Sequence, residues 1–104
     1  MRPTIPLVSL GFIALLAVNP AAAALSGFYD SGEQIAALLA SAEAGEALSQ
    51  LPVRGLQFRE VTEDGHPVWG ISTDSCELSV ELLPQLPEAV GKTTYKVHHI
   101  SACE

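Results

Sequence analysis

The chain has 104 residues, twelve acidic against five basic, for a formal charge of −7. So acidic a balance excludes nucleic acid and anionic membrane surfaces as expected partners, because phosphate contacts need clustered Lys or Arg. It admits a basic partner, since opposite charge speeds encounter, and it serves solubility equally well.

Residues 1–24 read as a secretory signal peptide. Arg2 supplies a short positive segment, Leu7 to Val18 an apolar stretch, and Ala22 and Ala24 the small residues of a cleavage site. An uncleaved anchor is the alternative, although the apolar run is short for a membrane-crossing helix. Cleavage after Ala24, or one residue earlier, leaves a single small domain over residues 25–104 with no stable membrane anchor. Setting Arg2 aside leaves four basic residues against twelve acidic ones in that domain, a formal charge of −8. Localisation is expected to be exported, periplasmic or secreted.

Leu25 to Asp30 reads as a loose leader, with Phe28 and Tyr29 expected to dock on the domain. Ser31-Gly32-Glu33-Gln34 has the form of a capping box. Ile35, Leu38, Leu39 and Ala42 then fall on one helical face. The pattern predicts an amphipathic helix from about Gly32 to Ala44, with Gly45 as its cap or a continuation to Gln50 before Pro52 stops it. Its polar face lacks Lys and Arg, which argues against a membrane-surface helix.

Leu56 and Phe58 alternate with Gln57 and Arg59, and Asp64-Gly65 carries the signal of a two-residue hairpin. Centring the turn there pairs Phe58 with Ile71, Glu60 with Trp69 and Val61 with Val68. Leu56, Phe58, Trp69 and Ile71 share the core face, and Glu60 intrudes on it beside Trp69. Pro67 near the turn suits an edge strand. Trp69 reads as core, with ligand stacking as the functional alternative.

After the polar turn Thr73-Asp74-Ser75, Cys76 to Leu82 alternates without a fault. Thr94 to Cys103 is rich in β-formers and alternates more loosely. Placing Cys76 opposite Cys103 sets Leu82 against Val97, Val80 against His99 and Leu78 against Ser101, so bridge and apolar pattern agree. His99 is the misfit. Either it points inward, or a bulge near His98-His99 brings Ile100 in. A disulfide here closes a loop of roughly 28 residues and contributes about 3–4 kcal/mol by loop-closure entropy. The linking segment 84–92, with Pro84, Pro87 and Gly91, reads as an ordered loop with one helical turn at Glu88 to Val90. Its Leu86 and Val90 either tuck onto the sheet, the favoured reading, or stand out as contacts.

These elements make an α+β fold in two layers: one N-terminal amphipathic helix on a four-stranded antiparallel meander, stapled by one disulfide. The order of helix, hairpin and hairpin is similar in outline to cystatin-like and other small exported inhibitor or assembly modules. That likeness is one of fold and transfers no function.

Motifs of catalysis are missing from the sequence. Both cysteines are expected in the bridge, and there is no nucleophile elbow, phosphate loop, H-E-x-x-H, C-x-x-C or EF-hand pattern. His66, His98 and His99 are the weak metal candidates. Adjacent strand residues face opposite ways, so His98 and His99 do not chelate together, and His66 joins one of them only if strand order allows. The expectation is an exported non-enzymatic protein, without cofactor, that binds another macromolecule and acts as an inhibitor or protective partner of a basic exported protein. Its expected contacts are Asp64 and Gly65, Leu86 and Val90, and the outer sheet face. The alternative is a small-ligand or metal carrier of the periplasm using Trp69, Tyr95 and the histidines.

Overall fold

Alternating apolar strands need a second layer to cover their inner face, and here the helical segment supplies it. A computed structural model describes residues 25–104; the signal segment read at 1–24 lies outside the described residues. Helices α1 (Gly27–Ala40) and α2 (Ala42–Ala47) precede strands β1 (Gly55–Val61), β2 (Pro67–Ser72), β3 (Glu77–Gln85) and β4 (Thr94–Ile100). The strands form one antiparallel meander in the order β1-β2-β3-β4, and α1 packs chiefly against β4. Cys76 and Cys103 are bridged, their Cα atoms 5.7 Å apart, within the ordinary range for a disulfide. The α+β fold and its staple follow the sequence pattern.

The helix departs from that pattern at both ends. It begins at Gly27, capped by Ser26 rather than Ser31, with Asp30 in its first turn, where an acidic side chain suits the helix dipole. Gly27 to Asp30 is therefore helix, not a loose leader. Phe28 and Tyr29 do not dock. They are 79% and 64% exposed and meet each other edge to face at 5.1 Å. Ser41 ends the helix because its extended backbone closes α1 and its hydroxyl accepts from the Ala44 N–H, which starts α2. Gly45 lies inside α2 and is no cap. The chain leaves through Ser49 and Gln50, both left-handed at φ 56° and 57°.

Gln34 explains which helix face turns inward. It is buried, and its Oε1 accepts from the Trp69 indole N–H at 2.8 Å. Its Nε2 donates to Asp30 Oδ2 at 3.1 Å and to the Tyr95 hydroxyl at 3.4 Å. Tyr95 in turn donates to Asp30 at 3.0 Å. Bound in this way Gln34 cannot act in a capping box. Leu38 shares its buried face, while Leu39 and Ala42, expected in the stripe, are exposed. Leu38, Ala44 and Leu48 then meet Trp69, Ile71, Leu78, Val80 and Leu82 in the core. Trp69 is only 7% exposed, its one polar atom already bonded. The indole is packed in the core, which leaves little ring surface for the ligand-stacking alternative.

Both edge strands carry a bulge, and each one removes a misfit of strict alternation. In β1 the register slips between Phe58 and Glu60, so Phe58 faces Trp69 and Glu60 faces Val68. Glu60 is thus exposed instead of intruding beside the indole. The turn is correspondingly longer than two residues. The Gly65 N–H bonds the Thr62 carbonyl at 2.9 Å, and the Thr62 N–H bonds that of His66 at 2.9 Å. The turn centres on Glu63-Asp64, and Gly65 takes φ 87°, the glycine position of a bulged hairpin loop. Pro67 opens an inner strand, not an edge, and a strand's first residue tolerates its missing donor. In β4 the slip between Glu81 and Leu82 keeps Leu82 opposite Val97 but sets Val80 opposite Ile100 and Glu81 opposite His99. Ile100 packs on the core and His99 is exposed, so the bulged alternative is the one adopted.

Two expectations follow from the Gln34 network. Replacing Gln34 by Leu leaves the Trp69 N–H without a partner, and should cost about 1–3 kcal/mol of stability in urea unfolding. The second concerns alkali. Burial first, and then the bond to Asp30, raise the Tyr95 phenol above its ordinary 10.0. The folded state therefore holds this proton more tightly than the unfolded chain does. Its contribution is complete below pH 10 and is lost as the pH rises through the higher folded value. Tyr95→Phe should flatten that part of the alkaline fall in unfolding midpoint; an unchanged alkaline limb would show that the loss lies elsewhere.

Candidate functional site

The parity of a meander decides which loops meet. The β1–β2 turn and the β3–β4 loop lie at one end of the sheet, and the β2–β3 turn at the other. The first turns of α1 reach the same end as the two loops, since Asp30 bonds Tyr95 near the start of β4 and Glu33 pairs with Lys92 at 3.0 Å. Asp64 and Gly65 therefore share one end with Leu86 and Val90, although they stand far apart in sequence. A shallow groove runs between α1 and the turn, lined by Gly27, Asp30, Phe58, Val61, Gly65 and Tyr95.

This end is rich in exposed apolar side chains. Leu86 and Val90 are 78% and 72% exposed, against the favoured expectation that they tuck onto the sheet. The 86–93 segment forms bends and no helical turn, while β3 runs on through Pro84 to Gln85. Without a turn of helix in the loop, nothing angles Leu86 and Val90 back toward the core. Phe28, Tyr29 and Val61 stand out at the same end. Around them lie Asp30, Glu33, Glu63, Asp64 and Glu88, with Lys92 already paired to Glu33. The exposure of Phe28 and Tyr29 on the first turn of α1, instead of docking, is what the sequence reading missed. Its signal was present in Ser26, which caps as well as Ser31 does.

A second grouping lies on the outer sheet face. Strand order does permit His66 to join a β4 histidine. The His66 Nδ1 lies 2.6 Å from Glu81 Oε2, and the His66 and His98 rings are 5.3 Å apart between centroids. One ligand atom from each of His66, Glu81 and His98 falls within 4.8 Å of the others. The expectation that adjacent histidines face opposite ways does not hold at a bulge. His99 pairs with the outward Glu81, and His98 meets the outward His66, so both point outward. His99 lies outside the grouping. Glu81 is the member that motif reading could not supply, because one loop and two strands contribute one residue each.

The rest of the outer face is charge-balanced. Arg59, the bulged residue of β1, lies over Gly70 and pairs with Glu77 two strands away. A Cβ at Gly70 would sit 2.5 Å from Arg59 Nε, which is why a glycine interrupts this strand. At the opposite end Arg54 pairs with Asp74 at 3.2 Å. Among the described residues no helix is long and apolar enough to cross a membrane.

Comparison with protein families, with curated proteins and with solved structures finds no match.

Proposed function

We propose that the protein is a small exported binding protein, non-enzymatic, that engages a basic macromolecule through the end of the sheet described above. The observation that carries this reading is the gathering there of exposed Leu86, Val90, Val61, Phe28 and Tyr29 inside a rim of carboxylates. Exposed apolar groups with a polar rim are the usual anatomy of a protein-binding surface, and the acidic rim selects a basic partner and speeds encounter. The disulfide suits an oxidising setting, hence the periplasm or the medium. The narrower form is an inhibitor or protective partner of a basic exported protein, such as a wall-degrading hydrolase. A second reading, a periplasmic carrier of metal or a small ligand, is favoured by one observation, the convergence of His66, Glu81 and His98.

Affinity capture from an envelope extract tests the leading reading. The oxidised protein is expected to retain one basic protein at low salt and release it at high salt. Leu86→Ser with Val90→Ser should cut that retention at least tenfold without lowering the unfolding midpoint, because both side chains are already in solvent. An empty capture, or retention equal in the double variant, would sink the assignment of this end.

A further inference from the structure

The geometry points to a divalent transition-metal site, of zinc type, formed by His66, Glu81 and His98 on the outer face of the sheet. It does not rest on the partner-binding reading, which uses other residues.

Three features carry it. The first is chemical: two imidazoles and one carboxylate are a donor set suited to zinc and its first-row neighbours, not to magnesium or calcium, which take oxygen ligands. The second is convergence from three different places, the β1–β2 loop, β3 and β4. Glu81 and His98 are held on paired strands and His66 by bonds of its backbone to Thr62, so little backbone freedom is lost when an ion draws them together. The third is the bulge. In unbroken alternation His98 would also point outward, but directly opposite Glu81. With the bulge, His98 becomes the extra residue beside the Glu81–His99 pair and is turned toward His66. Re-aiming a side chain is a recognised role of bulges.

The distances fit an open site with small adjustment. Zinc holds nitrogen and oxygen ligands at about 2.0–2.2 Å, so neighbouring donors in a tetrahedron lie roughly 3.4 Å apart. The His66–Glu81 contact at 2.6 Å must open slightly. The widest separation allowed by the 4.8 Å grouping must close by about as much as a rotamer change gives. His98 is exposed and free to make that movement, whereas His66 and Glu81 are half-buried and already aimed at each other. Three protein ligands leave one position facing solvent, open to water or to a donor from a bound molecule.

A simple hydrogen bond between His66 and Glu81 is the competing account, and zinc titration separates the two. Zinc chloride titrated calorimetrically into the oxidised protein should bind at one ion per chain, with magnesium showing no comparable heat. His98→Ala, His66→Gln and Glu81→Gln should each weaken binding about tenfold or more. His99→Ala, one residue along and outside the grouping, should bind as the parent does. Zinc should raise the unfolding midpoint of the parent and of His99→Ala but not of His98→Ala, a variant whose altered side chain is exposed and dispensable for folding. Equal affinity in parent and His98→Ala, or an equal loss in His99→Ala, would overturn the assignment. The Leu86→Ser and Val90→Ser variant should keep full zinc affinity, so failure of either site is read independently of the other.

Discussion

One buried amide sets the relation between the two layers. Gln34 faces the sheet from α1, and its two ends meet Trp69 on β2 and Tyr95 on β4, while Asp30 closes the circuit one helical turn away. A primary amide inside a core is tolerable only when both its donor and its acceptor sides are used. Here that condition selects one rotation of the helix and one position along its axis. Leu38 is carried inward with it, Leu39 is left outside, and the N-terminal turn is brought to the end of the sheet where the two hairpin loops emerge. Apolar burial supplies most of the driving force, but a helix with Leu, Ile and Ala around much of its surface could settle in several rotations. The polar circuit distinguishes among them.

The bulges have the same logic at the sheet edges. Alternation read from residue types places Glu60 and His99 on the inner face, where each would lose hydration without a partner. One extra residue in β1 and one in β4 turn them out, and bring Phe58 opposite Trp69 and Ile100 opposite Val80. Both insertions fall on edge strands, where only one ladder is disturbed, and irregular edges also discourage pairing with another chain. The inner strands β2 and β3, bonded on both sides, keep a regular register with each other.

What was legible in the residues follows from this division. The perfect alternation of Glu77 to Leu82, the Asp-Gly signal and the placement of Cys76 against Cys103 are local or two-strand properties, and they determine the meander and its staple. The helix start was ambiguous because Ser26 and Ser31 are both competent caps; the choice depends on Gln34 finding Trp69, a contact across 35 residues. The break at Ser41 has a local cause, the serine hydroxyl serving α2, but it competes with an uninterrupted run of helix formers that masks it. The exposure of Leu86 and Val90 was not readable, since a loop's apolar residues tuck or project according to the shape beneath them.

The outer-face histidines show how a correction made for the core rearranges the surface opposite it. The pressure to insert a residue in β4 is hydrophobic: without it Ile100 lies in solvent and His99 in the core. Once the residue is inserted, His98 and His99 both emerge on the outer face, and one of them meets a histidine delivered by the β1–β2 loop and a carboxylate from the regular inner strand. No spacing rule in the sequence could announce that set, because its members are joined by strand order and a register slip rather than by a motif. A site of this origin is tied to the packing beneath it. Restoring regular alternation in β4 would bury His99, turn Ile100 out and set His98 directly opposite Glu81, so the register of the core also sets how the third ligand is presented.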